Sequence, residues 1–252
     1  MPLLPLHQAH DPRALLTRWR AVAHATGMRV RVLTEVAGEK ILYLESTKRP
    51  ADTLWDYLST GVHGDEAGSA WGLLAWAEGN LVALKQGSFV IFPCLNPLGL
   101  RDNTRLDHRG LDINRRFHLD DDAISGPWRK MISSRLWSVG LCLHEDYDSQ
   151  GCYVYELGKH RRTLSSQILA ECTQLIALDP RRSIDDRPAR AGIIRRSTIP
   201  ADLPGMPEAI VLYQLGCPIT LTFETPSEFD LETRVQTQAA FVKAALHHAA
   251  QP

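Results

Sequence analysis

The chain predicts an α/β fold. It reads as a single domain over residues 1–252, with a mixed, mostly parallel twisted sheet, helices on both faces and an antiparallel hairpin at the N-terminal edge. Three observations carry this. Near-continuous apolar runs such as Ser88–Leu95 and Val139–His144 have the pattern of strands buried on both faces. Segments with helical spacing separate those runs, the order that builds parallel sheets. Only Met28–Val36 and Lys40–Glu45 alternate across a short Ala37-Gly38-Glu39 turn, as a hairpin does.

The elements follow in order. Pro12–Ala25 has helical spacing at Leu15, Leu16, Trp19 and Val22, with Asp11 placed to cap it. The hairpin comes next, then a strand over Thr53–Gly61 that runs into His63. Glu66–Glu78 is a helix with Ala70, Leu73, Leu74 and Ala77 on its apolar positions, and Ser88–Leu95 is a strand ending in the Asn96-Pro97 turn signal. Leu98–Phe117 shows no period and is crowded with charge. Gly126–Trp137 reads as a helix with Pro127 near its start, Val139–His144 and Cys152–Leu157 as strands, and Arg161–Leu178 as a helix. Asp179–Pro207 is a long arginine- and proline-rich connection. Pro207–Leu215 is a short helix, Ile219–Phe223 a strand and Asp230–Ala250 the closing helix.

Composition narrows the function. The 252 residues are 44% apolar with a formal net charge of −1, enough for a substantial core and too balanced for a nucleic-acid backbone footprint. No apolar run approaches the ~20 residues that span a bilayer. Met1–Arg20 mixes prolines, histidines and charges where an export signal needs a continuous apolar core, so the expected location is cytoplasmic, with no membrane partner. The five cysteines, Cys94, Cys142, Cys152, Cys172 and Cys217, contain no C-x-x-C pair and read as reduced thiols.

Chemistry gathers where apolar runs end. His63 and Glu66 stand three residues apart between a strand and a helix, and His144 closes a second strand-like run. Any one histidine there is also what a hydrogen-bonded strand end looks like. Together they are two imidazoles and a carboxylate, a three-ligand set that leaves a zinc ion one open position. Glu224, ending the run Leu221–Phe223, is placed either as a general base or as an acid leading into the last helix. In open α/β sheets ligands bind outside the carboxyl ends of the strands, so His63, Asn96, His144 and Glu224 are expected on one rim.

From Arg105 to Phe117 the chain reads R-x-D-x-x-G-x-D-x-N-R-x-F. This resembles the R-x-N-x-x-G-x-D-x-N-R-x-F stretch of zinc carboxypeptidases. With H-x-x-E before it, a histidine after the next strand and a late E-T-P, four motifs fall in that family's order over roughly residues 55 to 230. The chain is therefore similar to the carboxypeptidase A-like family, closest to small bacterial members of the murein tripeptide amidase type. The resemblance implies one Zn2+ per chain held by His63, Glu66 and His144. It implies Arg105 as oxyanion stabiliser, Asn114 and Arg115 as the grip on the substrate's terminal carboxylate, Asp112 as the group orienting His63, and Glu224 as general base. The implied activity is hydrolysis of an amide bond next to a free carboxylate in small peptides, cell-wall peptides among them.

Departures from the family pattern are specific. Asp107 stands where the motif has asparagine, and Leu98 where the family often has aspartate. The stretch Thr198–Glu208 lacks the substrate-covering tyrosine of many members, and Tyr213 lies in a helical context. Glu145, Asp146 and Asp148 are either an amine-binding cluster or a solvated turn. Arg181, Arg182, Arg187, Arg190, Arg195 and Arg196 form either a carboxylate-recognising flap or exposed loop charge partly neutralised by Asp185 and Asp186. Two other functions share these features: an N-acyl amino acid deacylase of the succinylglutamate desuccinylase/aspartoacylase type, and a non-enzymatic module binding peptide C-termini.

Overall fold

Strong local signals fix the first elements of the computed structural model, which describes residues 8–47, 49–159, 164–199, 201 and 203–250. Helix α1 (Pro12–Thr26) starts where Asp11 accepts the Arg13 and Ala14 amides and stops at Gly27, whose φ of 74° no helix continues. Strands β1 (Arg29–Val36) and β2 (Glu39–Glu45) pair antiparallel across Ala37 and Gly38, both at positive φ. Strand β3 (Leu54–Ser59), helices α2 (Ala67–Gly79) and α3 (Leu81–Gln86) and strand β4 (Phe89–Phe92) follow. Next come helix α4 (Pro97–Asp102), a 3-10 turn (Ile113–Arg115), helix α5 (Ser125–Ile132), strands β5 (Leu136–Asp146) and β6 (Tyr153–Gly158) and helix α6 (Ser165–Cys172). The chain then forms β7 (Ser183–Ile184), β8 (Arg187–Pro188), β9 (Ile193–Arg196), α7 (Glu208–Gln214), β10 (Ile219–Pro226) and α8 (Leu231–Ala249).

Eight strands join one sheet in the order β1-β2-β4-β3-β5-β10-β6-β9. Pairing is parallel for β4 with β3, β3 with β5, β5 with β10 and β6 with β9, and the hairpin lies at the edge as expected. One face is covered by α1, α2, α6 and α8 around Trp71, Leu74 and Phe241, the other by α5 and α7 around Trp128, Phe117 and Leu212. Phe223 of β10 stacks on Phe241 of α8 at 4.0 Å between ring centroids, a contact worth about 0.5–1.5 kcal/mol beyond its area. Strand alternation sends Phe223 into this core and its neighbours Thr222 and Glu224 to the opposite face.

Four expectations are corrected. The helix read as Gly126–Trp137 ends at Ile132, because Leu136 and Trp137 pair with Leu54 and Trp55 and so begin β5. The helix read as Arg161–Leu178 covers only Ser165–Cys172 among the described residues; 161–163 lie outside them, and Leu178 is drawn into a bridge with Cys152. Leu98–Phe117 contains most of α4, whose start Asn96 caps by accepting the Gly99 amide. The connection Asp179–Pro207 holds three strands. Asp185 and Asp186, at φ 48° and 56°, turn the β7–β8 pair, and Ile193-Ile194 pairs with Val154 and Tyr155 to make β9 the sheet's last strand. Two β-branched residues among arginines are too short a run to read as a strand.

Candidate active site

Register sets the floor of a cavity of about 580 Å³. His144 of β5, Glu224 of β10 and Tyr153 of β6 form one cross-strand row. Two residues further down lie Cys142, Thr222, Tyr155 and Ile194, then Gly140, Thr220, Leu157 and Arg196. Since side chains alternate along a strand, these rows share a face, and His144, Glu224, Thr222 and Arg196 all line the cavity. His144 and Glu224 lie inside their strands, each two residues before the end.

His63 and Glu66 enter from the turn between β3 and α2. Gly64 is needed there: a Cβ would lie 1.9 Å from the Gly99 carbonyl carbon. Glu66 is the N-cap of α2, yet its carboxylate caps nothing. It faces His63 Nδ1 at 2.5 Å and His144 Nδ1 at 2.8 Å. The capping duty passes to Glu145, which accepts the Gly68 N–H at 2.8 Å and pairs with Arg234 at 2.8 Å. Gly68 must be glycine for this approach, because a Cβ would stand 2.3 Å from Glu145 Oε1.

Electrostatics bind the three groups tightly. Burial acts against charge on His63, but Glu66 and Asp112 outweigh it and push the imidazole up to about 9. Burial likewise opposes Glu66, and the two histidines hold it down at about 2. The ligand atoms of His63, Glu66 and His144 all lie within 4.8 Å of one another, and all three residues are buried. Two imidazole nitrogens aimed at one carboxylate form a donor set that suits zinc. Burial, together with Glu66, Asp146 and Asp185, raises Glu224 well above the usual carboxylate range, and His144 opposes them.

The loop from Asn103 to Phe117 forms the cavity wall and is held by its own acids. Asp107, the departure from the family motif, is buried, accepts the Arg109 and Leu111 amides and pairs with Arg109 at 2.6 Å. Asp122 takes Arg109 and Arg116, each at 3.0 Å. Asp112 reaches His63 Nε2 at 3.2 Å and Arg105 at 3.1 Å, and Arg105 stands 3.7 Å from Glu66. Asn114 accepts the Glu208 amide at 2.9 Å through Oδ1, which leaves its Nδ2 donors for the cavity. Arg115 lines the same space.

Seven expected site residues therefore meet around one cavity: His63, Glu66, Arg105, Asn114, Arg115, His144 and Glu224. Asp112 stands behind His63. Asn96 does not join them: it is buried, caps α4 and donates to the Leu106 carbonyl. Glu145, Asp146 and Asp148 all border the cavity, but the Glu145 carboxylate is taken by the Gly68 amide and Arg234, and Asp146 accepts the Tyr153 hydroxyl. The described part of Thr198–Glu208 lines the cavity with Leu203, Pro204, Gly205 and Pro207. Sequence reasoning missed Glu208, the first residue of α7, a buried acid held by Tyr57 and by Ser59 at 2.8 Å. The charge of Glu208 at the start of a short helix gave no sign of burial.

Residues 56–137 match the model of the succinylglutamate desuccinylase/aspartoacylase catalytic domain, a stretch with five of the seven cavity residues. No curated protein matches the chain. Among solved structures, a candidate metallopeptidase from Shewanella denitrificans superposes with a TM-score of 0.84 at 22% identity, over 96% of this chain and 92% of that one. A metallo-carboxypeptidase from Burkholderia cenocepacia gives 0.68 at 18% identity, over 92% and 67%. One from Pseudomonas aeruginosa, in complex with (2-guanidinoethylmercapto)succinic acid, gives 0.60 at 18%, over 92% and 68%. The chain thus has the metallo-carboxypeptidase-like fold through nearly all of its length.

Proposed function

We propose that residues 1–252 form one catalytic domain, a hydrolase with one zinc ion per chain. It cleaves the amide bond next to a free carboxylate in small peptides. The observation that supports this most is the meeting of His63, Glu66 and His144 with Glu224, Arg105, Asn114 and Arg115 around one cavity. His63, Glu66 and His144 would hold the ion, with Asp112 fixing the His63 ring through its other nitrogen. Bound zinc supplies Lewis acidity toward a carbonyl oxygen and makes water more acidic. Glu224 takes the proton of the attacking water and passes it to the departing amine. Arg105, which lines the cavity and is 41% exposed, stabilises the oxyanion. The Asn114 amide and the Arg115 guanidinium clamp the substrate carboxylate, for which a planar fork is suited.

A second reading rests on the match of residues 56–137: an N-acyl amino acid deacylase would use the same ligands and the same carboxylate grip. A pure binding module needs neither Glu224 nor Arg105. The deciding assay loads chelator-treated protein with zinc and offers peptides, the same peptides with amidated C-termini, and N-acyl amino acids. The peptidase reading expects turnover that needs metal and falls on the order of a hundredfold or more on amidation, because buried donors lose their partner. Turnover of acyl amino acids alone selects the deacylase, and turnover of none selects the binding module. No described helix is long and apolar enough to cross a membrane.

A further inference from the structure

Arg196 closes the far end of the cavity and plays no part in the chemistry above. It sits on β9, paired with Leu157, in the same row as Thr220 and on the same face as Glu224. That row lies four residues down β10 from Glu224 and two strands across. Arg196 is half-buried and lines the cavity. Its neighbour Arg195 points to the other face, where Glu156 meets it at 3.3 Å. Arg196 itself has no ion-pair partner among the described residues, and no carboxylate shares its row. Of the other acids that border the cavity, Asp146 accepts the Tyr153 hydroxyl, Asp185 the Tyr155 hydroxyl, Glu145 pairs with Arg234 and Glu156 with Arg195, while Asp148 stands past the end of β5, beyond the His144 row. A half-buried guanidinium in the cavity wall with no carboxylate of its own is free to receive one from a ligand.

We infer that Arg196 is a specificity-determining residue that receives a second carboxylate, on the side chain of the amino acid whose main-chain carboxylate Asn114 and Arg115 hold. The favoured departing group is then an acidic amino acid. Its reach favours glutamate over the shorter aspartate, because Arg196 lies two rows below Glu224, with the Thr222 row between them. This rests on the proposed hydrolysis, yet it holds equally for peptidase and deacylase, since both release that amino acid.

The test uses matched substrates that differ only in the departing residue, glutamate or its neutral isostere glutamine, as dipeptides and as N-acetyl amino acids. Calorimetric binding of free glutamate and glutamine to the full chain runs alongside. The wild type is expected to favour glutamate in kcat/KM by about tenfold or more, as charge-assisted bidentate pairing requires. Arg196→Gln should bring the ratio near one, Arg196→Lys should keep part of it, and Arg196→Glu should shift preference toward lysine. A merely structural arginine would lower both substrates alike and leave the ratio unchanged, which overturns the inference. So does a wild type that turns over or binds glutamine as well as glutamate, whatever becomes of the hydrolase reading. Arg196-dependent glutamate binding without hydrolysis of any substrate would instead keep the subsite and reject the hydrolase.

Discussion

The cavity has two halves built by different means. The floor is carried by the sheet: His144, Thr222 and Glu224 are set by the register of β5 with β10. The wall is carried by a loop, where Arg105, Asn114 and Arg115 stand on a segment with no strand and only one 3-10 turn. Ladder hydrogen bonds hold the floor. The wall depends on carboxylates that each take several donors, Asp107, Asp112 and Asp122. The floor therefore tolerates little displacement, while the wall has the strength of its charge pairs. This division matches the proposed chemistry: the base Glu224 and the ligand His144 on the rigid half, anion recognition on the adjustable half.

The sharpest test of that division removes the base and leaves the floor in place. Glu224→Gln keeps shape and register, so bound metal should stay at one per chain by elemental analysis while kcat falls about 10²–10⁴-fold. A variant that keeps its activity would take catalysis away from the floor. On the wall, Arg105→Met should lower kcat on the order of 10²–10³-fold, as loss of an oxyanion donor does, with less effect on KM. An increase confined to KM would make Arg105 a ground-state binding residue and join it to Asn114 and Arg115.

The two halves were also unequally legible. The strands of the floor announced themselves as apolar runs, and His144 and Glu224 stood at their ends, so position and chemistry could be read together. The wall has no period; only the spacing of Arg105, Gly110, Asp112, Asn114 and Arg115 against a known motif gave it meaning. What escaped both routes was burial of charge. Glu145, Glu208, Asp107 and Asp122 are enclosed, and nothing local in the sequence marks them: the partners of Glu145 and Glu208, Arg234 and the pair Tyr57 and Ser59, are remote in sequence, while Asp107 and Asp122 stand among other charged residues. Strand β9 escaped for a related reason: its two isoleucines are flanked by arginines that divide between the two faces of a sheet edge.

Two smaller effects probe the joints between the halves. Asp112 spans them, with one oxygen on His63 and the other on Arg105. Asp112→Asn should weaken zinc affinity by about 10–100-fold in a competition titration. An unchanged affinity would confine Asp112 to the wall.

Asp122 tests the wall alone, being remote from the ligands. Burial acts to raise its carboxyl, but the Ile124 and Ser125 amides and the Arg116 and Arg109 guanidinium groups outweigh it and hold it at about 2, below its ordinary 3.8. A depressed carboxylate contributes stability that is full above its unfolded-state value and fades as pH falls toward the folded one. Asp122→Asn should thus cost on the order of 2 kcal/mol near neutrality, seen as a melting point lower by roughly 5 °C. The difference between variant and wild type should shrink between about pH 4 and pH 2, through the loss of wild-type stability. Freed from Asp122, Arg116 and Arg109 no longer brace the Arg115 segment, so KM should rise a few-fold while bound metal stays at one per chain. Metal loss in parallel with the rise in KM would mean that floor and wall yield together, and the contrast between a rigid floor and a charge-held wall would fall.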